Sequence, residues 1–346
     1  MASTDLPVLA IVPGDPTGIG PEQTARLLSE GRMRGIARLV VVGDRRVLEM
    51  GAKQAGVTLD LRLYASPRAV DWKAPGIPLV DLGNMDPKAL PTGVSDPVAG
   101  KLTGDTLARA VDFAKAGEVD GITFAPLNKQ AMFKGGWKFP DEHKMFAHLL
   151  DHKGNFSEMN VLEGQWMTRV TSHVSLRTAI DQVNFDSICR ALELADKTMR
   201  QAGIDTPRIA VAALNPHAGE GGLFGTEEID FIRPAVEHMK EKGIACEGPF
   251  PSDTVYLKAF SGQYDSVLAM YHDQGQIATK LKGFNKGVTI TAGLDTVFTT
   301  PAHGTAFDIV GKGIADIGAF ESAIRLAAQV ASRKKVFERE EAGLVA

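Results

Sequence analysis

The sequence predicts an α/β protein of two domains, each built on a largely parallel sheet with helices on both faces. Two observations predict it. Short apolar runs that end in glycine or a turn alternate with amphipathic stretches along the whole chain, the pattern of a buried parallel sheet. A length of 346 residues also exceeds what one hydrophobic core usually serves. No internal repeat or low-complexity segment interrupts the alternation.

The elements follow in order. P-V-L-A-I-V-P-G-D, at the start, is an apolar run closed by glycine. Pro21 and Glu22 then open a helix, since proline suits the first turn and a carboxylate suits the positive end of the dipole. L-V-V-V-G-D, 39–44, is a second buried strand, and the Pro/Gly-rich stretch 73–100 reads as an irregular excursion. Leu107, Ala110, Val111 and Ala114 mark a helical face over 103–117, ending at Gly117 and leading into the strand G-I-T-F-A-P. Ile188, Ala191, Leu192, Ala195 and Met199 form one stripe over 186–201. R-I-A-V-A-A-L, 208–214, is a continuous apolar strand, Thr226 caps the next helix, and S-V-L-A-M-Y is another strand. A long amphipathic helix over 315–340 closes the chain.

Composition narrows the function. A hydrophobic fraction of 44% and a charged fraction of 23% belong to an ordinary globular protein. A net charge of −4 and only short basic clusters, Arg45-Arg46 and Arg333-Lys334-Lys335, argue against nucleic acid. Two cysteines, Cys189 and Cys246, cannot build a Cys-rich zinc site. The N-terminus lacks a basic start before a long apolar segment, and no apolar stretch reaches the ~18 residues of a membrane span. A cytoplasmic enzyme with no membrane partner is the expectation.

Of eight histidines, three directly follow a strand: His173 after V-T-S, His217 after L-N-P, and His272 in A-M-Y-H-D-Q-G. Ligands of open sheets collect at the carboxyl ends of strands. One such histidine is better explained as a satisfied core residue; three in matching settings favour a metal or catalytic cluster. Imidazoles suit zinc, with an open position for a substrate oxygen, whereas magnesium prefers carboxylates and water. Asp273 and Glu220 are candidates to orient the rings. His143, His148 and His152 share one helical stretch without a metal-binding pattern, and His238 lies on a charged helix.

Two glycine-rich segments remain. G-D-P-T-G-I-G-P-E, 14–22, is weak evidence for a phosphate cradle, not being G-x-G-x-x-G. In P-A-H-G-T-A-F-D-I-V-G-K-G-I-A-D, 301–316, glycines allow close backbone approach, and His303 and Asp308 are placed to contact an adenine or ribose, unless this is an ordinary loop.

Together these two segments resemble the isocitrate/isopropylmalate dehydrogenase superfamily. T-S-H-V-S-L-R, N-P-H-A-G-E-G-G-L-F-G and M-Y-H-D-Q-G narrow the resemblance to the 4-hydroxythreonine-4-phosphate dehydrogenase family, in consistent order over nearly the whole chain. The resemblance implies two α/β/α domains of isopropylmalate dehydrogenase type with an active-site cleft between them. A discontinuous nucleotide-binding domain would span 1–132 plus 290–346, and a metal, substrate and dimerisation domain 133–289. It implies a homodimer with shared active sites. His173, His217 and His272 would bind a divalent metal, the last reaching the neighbouring subunit's site; zinc leads, with Mn, Co, Ni or Mg as alternatives. His303, Gly304, Thr305, Ala306, Asp308 and Gly311 would bind NAD or NADP. Lys280 matches a substrate-contact lysine, and Lys129 in A-P-L-N-K and Asp253 in S-D-T are further candidates for substrate contact or proton transfer.

The sequence departs from that family where substrate phosphate is gripped. Gly-His-Thr-Glu after a proline is here Asp141-Glu142-His143-Lys144, so Glu142 takes the His place and His143 the Thr place. Thr289 replaces an asparagine and Phe298 an arginine. A carboxylate facing phosphate repels it, and a lost guanidinium removes the best phosphate partner. The expectation is therefore a metal-dependent, NAD-linked dehydrogenase of a small hydroxy acid or diol, decarboxylating when a β-keto acid forms. Phosphorylated acids would be poor substrates, and the alternative within the family is a carboxylated cis-dihydrodiol dehydrogenase of the terephthalate type, with Phe298 offering an apolar ring. The rivals are a metal-dependent hydrolase, which leaves 301–316 unused, and a small-molecule binding protein.

Overall fold

The computed structural model describes residues 6–283 and 286–341. The first five residues, read above for a targeting signal, lie outside these. Two compact units divide the chain, Met1–Gly154 with Val288–Ala346, and Asn155–Gly287. The segment 133–154, expected in the second, therefore belongs to the first. Aromatic packing is the reason: Phe146 stands edge-on to Phe124, with ring centroids 5.5 Å apart, and stacks on Phe298 at 4.0 Å.

Among the described residues the strands are β1 (Val8–Val12), β2 (Arg38–Gly43), β3 (Leu61–Leu63), β4 (Ile77–Asp81), β5 (Gly121–Phe124), β6 (Ser157–Leu162), β7 (Gln165–Arg169), β8 (Ile209–Ala212), β9 (Cys246–Phe250), β10 (Ser266–Ala269), β11 (Val288–Ala292) and β12 (Val297–Pro301). In the first unit the order is β3-β4-β2-β1-β5-β12-β11, parallel except for the β11–β12 pair. In the second it is β6-β7-β10-β8-β9, parallel except for β6. The fold is thus α/β with mostly parallel strands, and the buried runs read from sequence are its central strands.

Each core is apolar on both sheet faces. Val12, Val40, Leu107, Ile122, Phe124 and Phe298 pack the first; Met167, Ala210, Val255 and Val267 pack the second. Each fully buried side chain of this size contributes about 1.5–3 kcal/mol.

Helix ends differ from expectation where a polar cap intervenes. The helix expected over 103–117 runs Pro97–Lys115, because Asp96 accepts a 2.8 Å hydrogen bond from the Ala99 amide and Pro97 fits the first turn. The excursion 73–100 contains β4, which pairs with β2 at Val41 and Leu79. Thr226 does not cap; its hydroxyl donates to Asp230, and a wide turn, Glu228–Ile232, precedes the helix Arg233–Glu241. The last helix is one run, Gly318–Glu341. Among the described residues no helix is long and apolar enough to cross a membrane.

Candidate functional site

In the first unit the loops after β1, β5 and β12 leave one carboxyl edge, since these three strands run parallel as neighbours. The two glycine segments meet there. The Ile19 amide donates to the Thr305 carbonyl at 3.1 Å, and a Cβ on Gly18 would lie 2.8 Å from Thr305 Cβ. Fully buried Glu22 accepts from the Ala315 amide at 2.8 Å and pairs with Arg26 at 3.2 Å, while Arg26 also donates to the Gly313 carbonyl. Buried Gln23 donates to the Asp316 carbonyl and lies 3.3 Å from His303 Nε2. An amide N–H can only donate, so His303 Nε2 carries a lone pair there and Nδ1 faces the Gly304 carbonyl at 3.1 Å.

Asp15 accepts from the Thr17 amide and hydroxyl, and burial pushes its carboxyl above the usual range against those bonds. Thr305 is buried and Ala306 is left-handed at φ 43°. Gly304, Asp308 and Gly311 are exposed, and a Cβ at either glycine would meet no atom within 4 Å. This open, rigidly backed backbone fits a dinucleotide.

Glu142, His143 and Thr289, substrate positions expected in the second domain, lie in the first unit, whereas Lys280 lies in the second as expected. Asn128 caps the helix Lys129–Lys134, and Lys129 Nζ lies 2.9 Å from the carboxylate of Glu142. Glu142 and His143 are nearly buried, and His143 Nδ1 is 2.6 Å from the Thr291 hydroxyl. Thr289 is buried in β11 opposite Thr300. Phe298, expected to offer its ring to substrate, is a core residue instead: it is fully buried and stacked on Phe146.

In the second unit the three histidines follow β7, β8 and β10, adjacent parallel strands. His173 and His272 come together, their ring centroids 5.5 Å apart and both rings lining one pocket with Thr171, Val174, Tyr271 and Asp273. Asp273 lies 2.7 Å from His272 Nδ1 and accepts the hydrogen bond of that N–H, so in the neutral ring Nε2 carries the lone pair. Glu158, which sequence reasoning missed, lies 3.8 Å from His173 Nε2, a charge neighbour rather than a hydrogen bond.

His217 faces Phe224 at 6.2 Å, and among the described residues no three metal-binding side chains form one group. The pair that this single chain brings together is His173 with His272. Residues 217–221 all have positive φ, so His217 stands on a left-handed turn beyond the end of β8. Such a turn costs about 1–2 kcal/mol per non-glycine residue. Fully buried Glu228 holds it, accepting from the amides of Leu214 and Asn215 at 2.8 and 2.7 Å and from Asn215 Nδ2.

Asp253 is exposed in the first turn of the helix Ser252–Phe260, and Lys280 is exposed on the helix His272–Gly283. His148 packs on Phe139 and His238 on Phe185. His173 and His272, two imidazoles lining one pocket, are of the ligand type that suits a borderline divalent cation.

Residues 35–327 match the family described as pyridoxal phosphate biosynthetic protein PdxA. The chain is 42% identical, over 94% of its length and 99% of the relative's, to a protein of Pectobacterium atrosepticum named D-threonate 4-phosphate dehydrogenase. A crystal structure of 4-hydroxythreonine-4-phosphate dehydrogenase from Klebsiella pneumoniae matches at 39% identity and TM-score 0.81, covering 94% of this chain and 99% of that one. A terephthalate 1,2-cis-dihydrodiol dehydrogenase from Burkholderia xenovorans matches at 29% identity and TM-score 0.65, covering 93% and 98%. Parallel α/β units with loops gathered at their carboxyl edges, and a match over most of the length, lead to one conclusion: the chain belongs to the PdxA family and is an oxidoreductase of the dehydrogenase type.

Proposed function

We propose that this chain is a divalent-metal-dependent, NAD-linked dehydrogenase of a small hydroxy acid 4-phosphate, decarboxylating where the product is a β-keto acid. The observation that carries the reading is the His173–His272 pair in its pocket, in a chain whose relatives are named for such oxidations. A divalent cation, once bound, would polarise the substrate hydroxyl and the carbonyl that replaces it.

The side chains supply the rest. His173 and His272 present ring nitrogens, and Asp273, accepting from His272 Nδ1–H, fixes the tautomer in which the neutral ring offers Nε2. Lys280 holds a substrate carboxylate or phosphate by charge, and Asp253 accepts the hydroxyl proton. Lys129, ion-paired with Glu142, orients charge rather than transferring protons. The 301–316 loop holds the nucleotide, and the Asp308 carboxylate favours a free ribose 2′-hydroxyl over a 2′-phosphate, hence NAD over NADP.

Two observations move the substrate away from the sequence expectation. Lys129 sits 2.9 Å from Glu142, so the carboxylate expected to repel phosphate belongs to a neutral pair. The Phe298 ring expected to favour a dihydrodiol is in the core. A second copy of the chain completes the reading: Leu176, Ile180, Leu257, Ile277 and Leu281 are exposed on helices of the second unit, an apolar set suited to a homodimer.

NAD reduction is the test, with zinc, manganese or magnesium added. D-threonate 4-phosphate and 4-hydroxythreonine 4-phosphate are compared with a carboxylated cis-dihydrodiol. The phosphorylated acids are expected to have kcat/KM at least ~100-fold higher, a difference of about 2.7 kcal/mol. Preference for the dihydrodiol would overturn the substrate reading, and no NAD reduction with any of them would overturn the dehydrogenase mechanism.

A further inference from the structure

Gln274 follows the His272-Asp273 pair by one residue and touches three separate elements. Its Oε1 accepts from the Met270 amide at 2.7 Å, at the end of β10. Its Nε2 donates to the Ala213 carbonyl at 2.8 Å, just past β8, and to the Ser252 hydroxyl at 2.9 Å, at the start of the helix Ser252–Phe260. Ser252 closes the ring by donating to the same Ala213 carbonyl at 2.7 Å. A carbonyl only accepts and a backbone amide only donates, so the orientation of the Gln274 amide is fixed by its partners.

Each element tied in this way carries a candidate site residue a few positions on. Met270 precedes His272 by two, Ala213 precedes His217 by four, and Ser252 adjoins Asp253. Ala213 and Met270 are fully buried, so the ring is a rigid base beneath exposed loops. The Met270 bond alone would be an ordinary cap of the helix His272–Gly283, where a Gln in the first turn reaches back to a preceding amide. The two donated bonds do more than a cap requires: they tie the ends of β8 and β10 and the following helix to one side chain.

We propose that Gln274 is a positioning residue that sets the spacing of His272, His217 and Asp253 through this ring. The proposal rests on the metal reading above. Groups that orient ligands without touching the metal typically change its affinity by about 10–100-fold when removed.

Q274E separates the two roles of the side chain. It keeps an oxygen for the Met270 amide but turns the donor end into an acceptor facing the Ala213 carbonyl. Zinc affinity of the full-length protein, measured by calorimetry, is expected to fall at least ~10-fold in Q274E. The NAD dissociation constant should stay within twofold, since the nucleotide loops belong to the other unit. S252A, which removes one partner, should lose affinity about threefold, and it carries the test alone if Q274E does not fold. A cap without a positioning role predicts unchanged zinc affinity in both variants, and that result would overturn the proposal. Failure of the wild-type chain to bind zinc, manganese or magnesium is a different result: it removes the metal reading itself, and this inference with it.

Discussion

The glycine loops of the first unit and the histidine loops of the second both leave the carboxyl ends of parallel strands, yet they are held by opposite means. The first are stitched to each other by buried polar groups: Glu22 to Ala315, Gln23 to Asp316, Ile19 to Thr305. The second are partly exposed and conformationally strained, with His173 and His217 at φ 51° and 52°, and are held from beneath by Glu228 and Gln274. Non-glycine residues in left-handed backbone are uncommon and gather at functional sites, where the surrounding structure over-determines them. The difference teaches how each unit divides its work. One holds its loops in a rigid, buried frame, on which the proposed nucleotide binding would depend together with stability; the other leaves outside the core the histidines proposed to bind a metal.

His272→Ala tests the second half of that contrast and carries the largest expected effect. His272 is half-exposed and contributes no core packing, so the melting temperature should move by no more than about 2 °C. NAD-linked turnover should fall at least ~1,000-fold, about 4 kcal/mol of barrier. Loss of cooperative unfolding in this variant would show that the histidine loops are structural, and the contrast would fail.

Glu22→Ala probes the cradle, and its expected effect is smaller but of the other kind. It leaves the Ala315 amide buried without its acceptor and releases Arg26 from the loop at Gly313. Unfolding free energy, from urea titration, should fall by roughly 2–3 kcal/mol, and NAD affinity should fall with it because both depend on the same loop. Stability lost with NAD affinity intact would separate the stitching from the cradle.

Much of this was legible in the chain itself, for a physical reason. Strands such as L-V-V-V-G and R-I-A-V-A-A-L announce themselves because burial on both faces demands an unbroken apolar run, and a histidine just after such a run follows the carboxyl end of its strand. What could not be read depends on distance along the chain. Phe146 and Phe298 are 152 residues apart, and only their stacking shows that 133–154 belongs with the first unit and that Phe298 is core. Glu142 looks like a lone acid until a helix start places Lys129 beside it. Gln23 and Gln274 carry no local signal, because their partners lie up to 293 residues away. The left-handed turn 217–221 has glycines at two of five positions, a hint, but its His, Ala and Glu give no warning of positive φ.

Asp15 offers the smallest and sharpest test of the cradle. Burial raises its carboxyl against the lowering effect of Thr17, so the folded chain holds that proton more tightly than the unfolded chain. The sign follows: native stability is favoured while pH lies below the unfolded carboxyl value, and is lost as pH rises through the raised folded value. Asp15→Asn keeps an oxygen for the Thr17 amide and hydroxyl and never ionises. Relative to wild type it should therefore gain stability as pH climbs above the ordinary carboxyl range, read as the difference between urea midpoints at each pH. A variant that instead loses stability relative to wild type as pH climbs over that range would mean that the charged carboxylate is itself an integral support of the loop. The glycine segment would then depend on a buried charge, and the first unit would resemble the second in holding its loops by electrostatic anchors from beneath.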